Sequence, residues 1–209
     1  MDALFTIFEF IGTISFAISG AMEAIHHKMD LFGVTMLAVI TATGGGILRD
    51  LVIGHIPPRV FRDPTWALVA MIVALVVFIV MRWIRAERLQ FARAREILYT
   101  LSDTLGLAAF TVLGIESAGG GNTALLLFVG MITGVGGGVL RDVLAGSVPS
   151  IFRKHIYALA SLAGALADVL LMRILPAEIA MLSGFGVVAL IRVAAAHFKW
   201  NLPHIDLEE

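Results

Sequence analysis

The sequence predicts an all-α membrane protein of seven transmembrane helices, built as an inverted 3+3 repeat plus a seventh helix. Three observations predict it. Of the 209 residues, 59% are apolar and only 15% charged, against about 25% charge in an ordinary soluble domain. Seven stretches approach the roughly 20 mostly apolar residues needed to cross a bilayer. A fourteen-residue segment also occurs twice, 92 positions apart, with eight identities: Gly44–Pro57 reads GGGILRDLVIGHIP and Gly136–Pro149 reads GGGVLRDVLAGSVP.

The first span, Ala3–Ile25, follows an N-terminus without the basic region of a secretory signal, and Glu9 interrupts its apolar run; it is expected to be retained. Leu31–Ile53 carries the first copy of the repeated segment. Thr65–Val80 is short, but Trp66 and Trp83 mark its ends. Ile97–Ile115, Thr123–Ala145 with the second copy, Ile156–Leu175 and Ile179–Phe198 complete the set. Trp200, Tyr99 and Tyr157 also fall near span ends, the distribution of an interfacial aromatic belt. Arg82–Glu96 is the long polar connection. With the N-terminus outside, the inner segments hold ten basic residues (Lys28, Arg82, Arg85, Arg88, Arg93, Arg95, Arg153, Lys154, Arg192, Lys199) and the outer segments three (Arg59, Arg62, Arg173). That bias places the C-terminus in the cytoplasm.

Three spans per half invert the second half relative to the first. The boundaries are 1–93 for the first repeat, 94–176 for the second, 177–200 for the unpaired seventh span and 201–209 for a short tail. Gly12–Ala17 pairs with Asp103–Ala108, and Trp66–Leu68 with Tyr157–Leu159.

Three consecutive glycines inside a helix cost about 1 kcal/mol each relative to alanine. Either they let another helix approach closely, or the backbone unwinds there and frees carbonyls beside a wet cavity. The two matched copies, Gly44, Gly45 and Gly46 with Gly136, Gly137 and Gly138, favour unwinding and a kink in spans two and five. Arg49 and Arg141 would then start new half-helices and need neutralising or must snorkel to an interface. The adjacent Asp50 and Asp142 point to another side of a helix and suit the half-helix N-termini instead. The expected charge partners are Glu9 or Asp168 for Arg49, and Asp103 for Arg141. Thr41, Thr43, Thr133, Ser15 and Ser19 are candidate hydroxyls beside such a cavity.

The sequence lacks cysteine and has a net charge of −1, which excludes disulfide and thiol chemistry and argues against nucleic acid as a partner. No metal-ligand cluster or nucleophile–base pair suggests an enzyme, and no cofactor is expected.

Gly-Gly-Gly-x-Leu-Arg-Asp twice in a seven-span chain resembles the trimeric intracellular cation (TRIC) channels, in their prokaryotic branch. Met29–Gly33 before the first copy and Thr133–Val135 before the second strengthen the likeness, which runs over residues 3–198. The resemblance implies a homotrimer with one pore per protomer. Spans two and five would bend at the triple glycines and line it, with Arg49, Asp50, Arg141 and Asp142 as the pore-region charges. Potassium or sodium would permeate, and membrane lipids, including bound lipid, would be the other partners. The phosphoinositide role of the animal members is not implied, since their second motif differs from Leu-Arg-Asp. Bacterial relatives have also been described as glycine transporters. The expected function is therefore a passive, potassium-permeable cation channel, with a secondary transporter of a small neutral amino acid such as glycine as the alternative.

Overall fold

The computed structural model describes residues 2–83, 90–153 and 156–200. Arg85, Arg88, Lys154 and the tail 201–209 lie outside the described residues, as do the side chains of Arg93 and Arg153. Among the described residues all regular secondary structure is helical: α1 (Asp2–His26), α2 (Leu31–Val52), α3 (Arg59–Arg62), α4 (Thr65–Trp83), α5 (Gln90–Ser117), α6 (Thr123–Leu144), α7 (Ser150–Arg153), α8 (Tyr157–Leu171) and α9 (Ala177–Phe198). Six helices (α1, α2, α4, α5, α6 and α9) are long and apolar enough to cross a membrane. The sixth expected span is shorter than predicted. α8 has 15 residues, about 22 Å at 1.5 Å per residue, because Leu175 precedes Pro176 and is steered away from helical geometry.

α2 and α6 are built identically, and their ends show why. Asp30 Oδ1 accepts from Gly33 N at 2.8 Å, and Asn122 Oδ1 accepts from Leu125 N at 2.8 Å, so each helix begins on a side-chain cap. Each ends in a glycine with left-handed backbone, Gly54 at φ 77° and Gly146 at φ 73°. His55 N donates to Asp50 O at 2.8 Å and Ser147 N to Asp142 O at 2.9 Å, closing both helices with the same C-terminal motif. The fourth glycine of the repeated segment is thus a stop signal.

α1 packs against α2, α4 and α5; α2 against α6; α5 against α6, α8 and α9; and α8 against α9. α4 is the most peripheral long helix, burying only Ala70 and Ala74 while Leu68, Ile72, Val76 and Ile79 lie exposed. An apolar surface of this extent needs lipid or another subunit against it, and the chain is an integral membrane protein.

α4 starts from a corner held by Asp63, whose Oδ1 accepts from Thr65 N at 3.0 Å and from Thr65 Oγ1 at 2.6 Å. The Thr65 side chain, then its backbone amide, holds the Asp63 carboxyl below its usual range. A depressed folded-state pKa stabilises above the unfolded value of about 3.9, and the contribution disappears as pH falls through the folded value. Amide exchange at Thr65 is therefore expected to accelerate below about pH 3.9 beyond the intrinsic trend. Asp63→Asn should remove that extra dependence; an unchanged pH profile in the variant would refute the assignment.

Candidate functional site

α2 and α6 cross at the triple glycines, and the contacts there repeat from one half to the other. A side-chain carbon on Gly45 would collide with the carbonyl oxygen of Thr133, and one on Gly137 with that of Thr41. One on Gly44 would sit 2.5 Å from Leu140 Cδ1, and one on Gly136 2.9 Å from Leu48 Cδ1. Thr41/Thr133 and Leu48/Leu140 are themselves 92 apart, so the crossing relates the two helices by an approximate two-fold. The helices run unbroken through Gly44–Gly46 and Gly136–Gly138, which corrects the expected unwinding: the glycines permit backbone-to-backbone approach. Thr41 Oγ1 and Thr133 Oγ1 each donate to their own helix, to Leu37 O and Val129 O at 2.6 Å.

Continuity also revises the arginines. Arg49 and Arg141 lie in the last turns of α2 and α6, where the helix dipole favours a cation, and do not begin new helices. Both are paired with the following aspartate, against the expectation from adjacent helix positions. Arg49 Nε donates to Asp50 Oδ1 at 2.9 Å, with Nη2 2.8 Å from the same oxygen. Arg141 Nε donates to Asp142 Oδ1 at 2.8 Å, with Nη2 2.7 Å away. A guanidinium on a three-carbon stem folds back far enough to defeat the direction set at Cβ. The other carboxylate oxygens complete the unit: Arg59 N donates to Asp50 Oδ2 at 2.7 Å, and Ser150 N to Asp142 Oδ2 at 2.6 Å. Each aspartate joins the end of a long helix to the start of the short one after it.

The second half is closed around its arginine. Arg141 is fully buried. Its Nη1 donates to Asp103 Oδ1 at 2.7 Å and to Ser19 Oγ of α1. Tyr157 OH donates to the same Asp103 oxygen at 3.2 Å, and Arg192 Nη2 of α9 to Asp103 Oδ2 at 3.2 Å. The Tyr99 ring lies 5.2 Å below the Arg141 guanidinium and the Tyr157 ring 4.6 Å from that of Arg192, in cation–π range. Two arginines and two aspartates make a neutral cluster. The structure brings Asp103 to Arg141 where the sequence places it. Arg192, Tyr99 and Tyr157 join them without having been singled out as site residues: Arg192 read only as an orientation charge, and the tyrosines only as belt residues. The available signal was that Arg192 lies inside an apolar span.

The first half is open. Arg49 Nη1 donates to Ser117 Oγ at 3.1 Å, and a cavity of about 370 Å³ lies beside it, lined among others by Phe5, Glu9, Thr13, Thr43, Trp66 and Phe110. Glu9 is half-buried and faces the same cavity as Arg49 without an ion-pair contact to a described residue. Asp168 is not with Arg49 either. It is buried in α8 against Gly184 of α9, and its Oδ2 meets no hydrogen-bond partner among the described residues. Ser15 is buried in α1.

The packing also corrects the register between the first helices of the halves. A side-chain carbon at Gly12 would meet the Phe110 ring, and one at Gly106 the Phe16 ring; at Gly20 and Gly114 it would meet Thr41 Oγ1 and Thr133 Oγ1, each at 2.6 Å. Gly12/Gly106, Phe16/Phe110 and Gly20/Gly114 are all 94 apart, not the 91 of the Gly12–Asp103 pairing. This register makes Glu9 the counterpart of Asp103, and Phe5 that of Tyr99. A three-residue shift keeps a helix pattern nearly in phase, which is how the sequence comparison slipped.

Paired glycine helices cross inside this all-helical protein and each ends in a buried Arg–Asp pair; the class is a polytopic membrane protein with two matched helices at its centre. The chain matches the model of the family described as Glycine transporter over residues 6–82 and 100–173. It is 38% identical over 205 residues to the UPF0126 inner membrane protein YadS of Escherichia coli, covering 96% of each chain. Among solved structures it resembles a prokaryotic TRIC channel crystallised in 0.5 M KCl (TM-score 0.87, 30% identity, 97% of this chain and 100% of the other). It also resembles the TRIC trimeric intracellular cation channel orthologue from Rhodobacter sphaeroides (TM-score 0.83, 31% identity, 94% and 98%). The chain belongs to this family, the UPF0126 membrane proteins that share the fold of the prokaryotic TRIC channels.

Proposed function

We propose that the protein is a passive, potassium-permeable channel for monovalent cations, with one pore per protomer of a homotrimer, lined by α2 and α6. The observation that carries this reading is the neutralisation of Arg49 and Arg141 by Asp50 and Asp142 at 2.8 and 2.7 Å. Two bare guanidiniums on the lining helices would repel a cation; paired, they leave carbonyl and hydroxyl dipoles to act on it. The two halves lie inverted in a bacterial inner membrane with the N-terminus outside, and α2 and α6 bend at the glycine crossing when the pore opens. Lipid covers the outer faces not occupied by other subunits.

Purified protein in a planar bilayer under a KCl gradient is expected to give discrete current steps reversing near the potassium potential. A silent bilayer, with saturable glycine counterflow in proteoliposomes from the same preparation, would replace the channel by a carrier. The open cavity between Glu9 and Arg49 is the feature that keeps this second reading in view.

A further inference from the structure

The two halves hold one constellation in two conditions. Tyr99, Asp103, Arg141, Asp142 and Tyr157 in the second half correspond to Phe5, Glu9, Arg49, Asp50 and Trp66 in the first. In the second, the Asp103 carboxylate occupies Arg141 Nη1 at 2.7 Å, and Arg192 covers its far oxygen. In the first, no counterpart of Arg192 exists, because α9 belongs to neither repeat. Glu9 stands off from Arg49, and the space between holds the cavity of about 370 Å³.

We propose that this cavity is a binding site for an α-amino acid with an apolar side chain. The ligand carboxylate takes the place on Arg49 that Asp103 takes on Arg141. The ammonium meets Glu9, and the side chain lies against Phe5, Trp66 and Phe110. A ligand carrying both charges meets the side of Arg49 Nη1 that Ser117 leaves open and Glu9, which has no ion-pair contact among the described residues, without adding net charge to a partly buried site. A simple anion would face Glu9, and a simple cation would leave Arg49 as it stands. Size and lining argue for a side chain. The volume lies near the lower end of the ligand-pocket range of about 300–1,000 Å³, and glycine would leave the aromatic wall wet. The other charges at the cavity are engaged or exposed: Arg62 Nη2 donates to Ile56 O at 2.9 Å, Asp63 accepts from Thr65, and Arg59 is exposed on α3.

The inference does not depend on conduction, and its test is binding. Calorimetric titration of the purified, detergent-solubilised protein compares L-leucine with glycine, 4-methylpentanoate (leucine without its ammonium) and 3-methylbutylamine (leucine without its carboxylate). Leucine is expected to bind about tenfold or more tighter than any of the other three. Glu9→Gln is expected to weaken leucine about tenfold and to bring it level with 4-methylpentanoate. Binding of 4-methylpentanoate as tight as leucine to the unaltered protein would mean an anion site; equal binding of the amine would mean a cation site; no binding of any of the four would mean no such site. Each of these overturns the proposal, and none relies on a variant folding. Potassium currents without leucine binding would leave the channel reading standing and remove this one alone.

Discussion

Alanine at Gly45 or Gly137 is expected to destabilise the folded protein by about 1–3 kcal/mol, the usual cost of overpacking a close contact. Alanine is nevertheless the better helix former by about 1 kcal/mol. At these two positions the added carbon meets a carbonyl oxygen of the facing helix, Thr133 O or Thr41 O, and rigid backbone can yield only by separating α2 from α6. Because the first substitution already opens the crossing, the double variant should cost less than the sum of the singles. Gly46→Ala is the internal control. Its added carbon would find only Arg49, with Nη2 3.6 Å away, so helix propensity should dominate and stability should stay level or rise. Thermal unfolding in detergent reads all four proteins. If Gly45→Ala and Gly46→Ala melt together, close packing is not the role of the triple glycine.

Asp103→Asn is expected to cost about 3–5 kcal/mol, the range for breaking a buried ion pair by removing one partner. Asp103 answers both Arg141, at 2.7 Å, and Arg192, at 3.2 Å. After the substitution Asp142 still neutralises Arg141, so the surplus charge belongs to Arg192. Removing that charge too, in Asp103→Asn with Arg192→Met, should return about 1 kcal/mol or more of the loss, within the range of coupling for residues in contact. A double variant that loses the full sum of the two single losses would show that the three side chains do not form one unit. The same pair distinguishes this cluster from a snorkelling Arg141, for which Asp103→Asn should change little.

The helices were legible because an apolar run of about 20 residues is long enough to be unmistakable. α8 was overextended because Met172, Ile174 and Leu175 carry its apolar run past Arg173 up to Pro176. The Asp103–Arg141 pair was legible from depth, since two opposite charges at the same level of adjacent spans have few other partners. The triple glycines misled because the sequence gives their helix-breaking tendency directly but not the identity of what presses on them. Here that is each other's helix, through Gly45 against Thr133 and Gly137 against Thr41. The Arg–Asp neighbours misled for a different reason: adjacency rules describe where Cβ points and lose force at the far end of an arginine. The Glu9–Asp103 equivalence became visible only through the packing of Phe16 and Phe110, whose rings lie 5.3 Å apart.

The ninth helix has a mechanical consequence. Inverted repeats are suited to rocking, in which each half adopts the shape its twin has just left. Any such exchange would be biased here. To assume the open form of the first half, the second would have to pull Asp103 from Arg192 and Arg141, breaking a buried charge cluster at a cost of several kcal/mol. Among the described residues Glu9 carries no such tether, so the first half would meet no comparable barrier there. α9, through Arg192, thus ties down the second half at Asp103 and leaves the opposite side of the molecule freer to move.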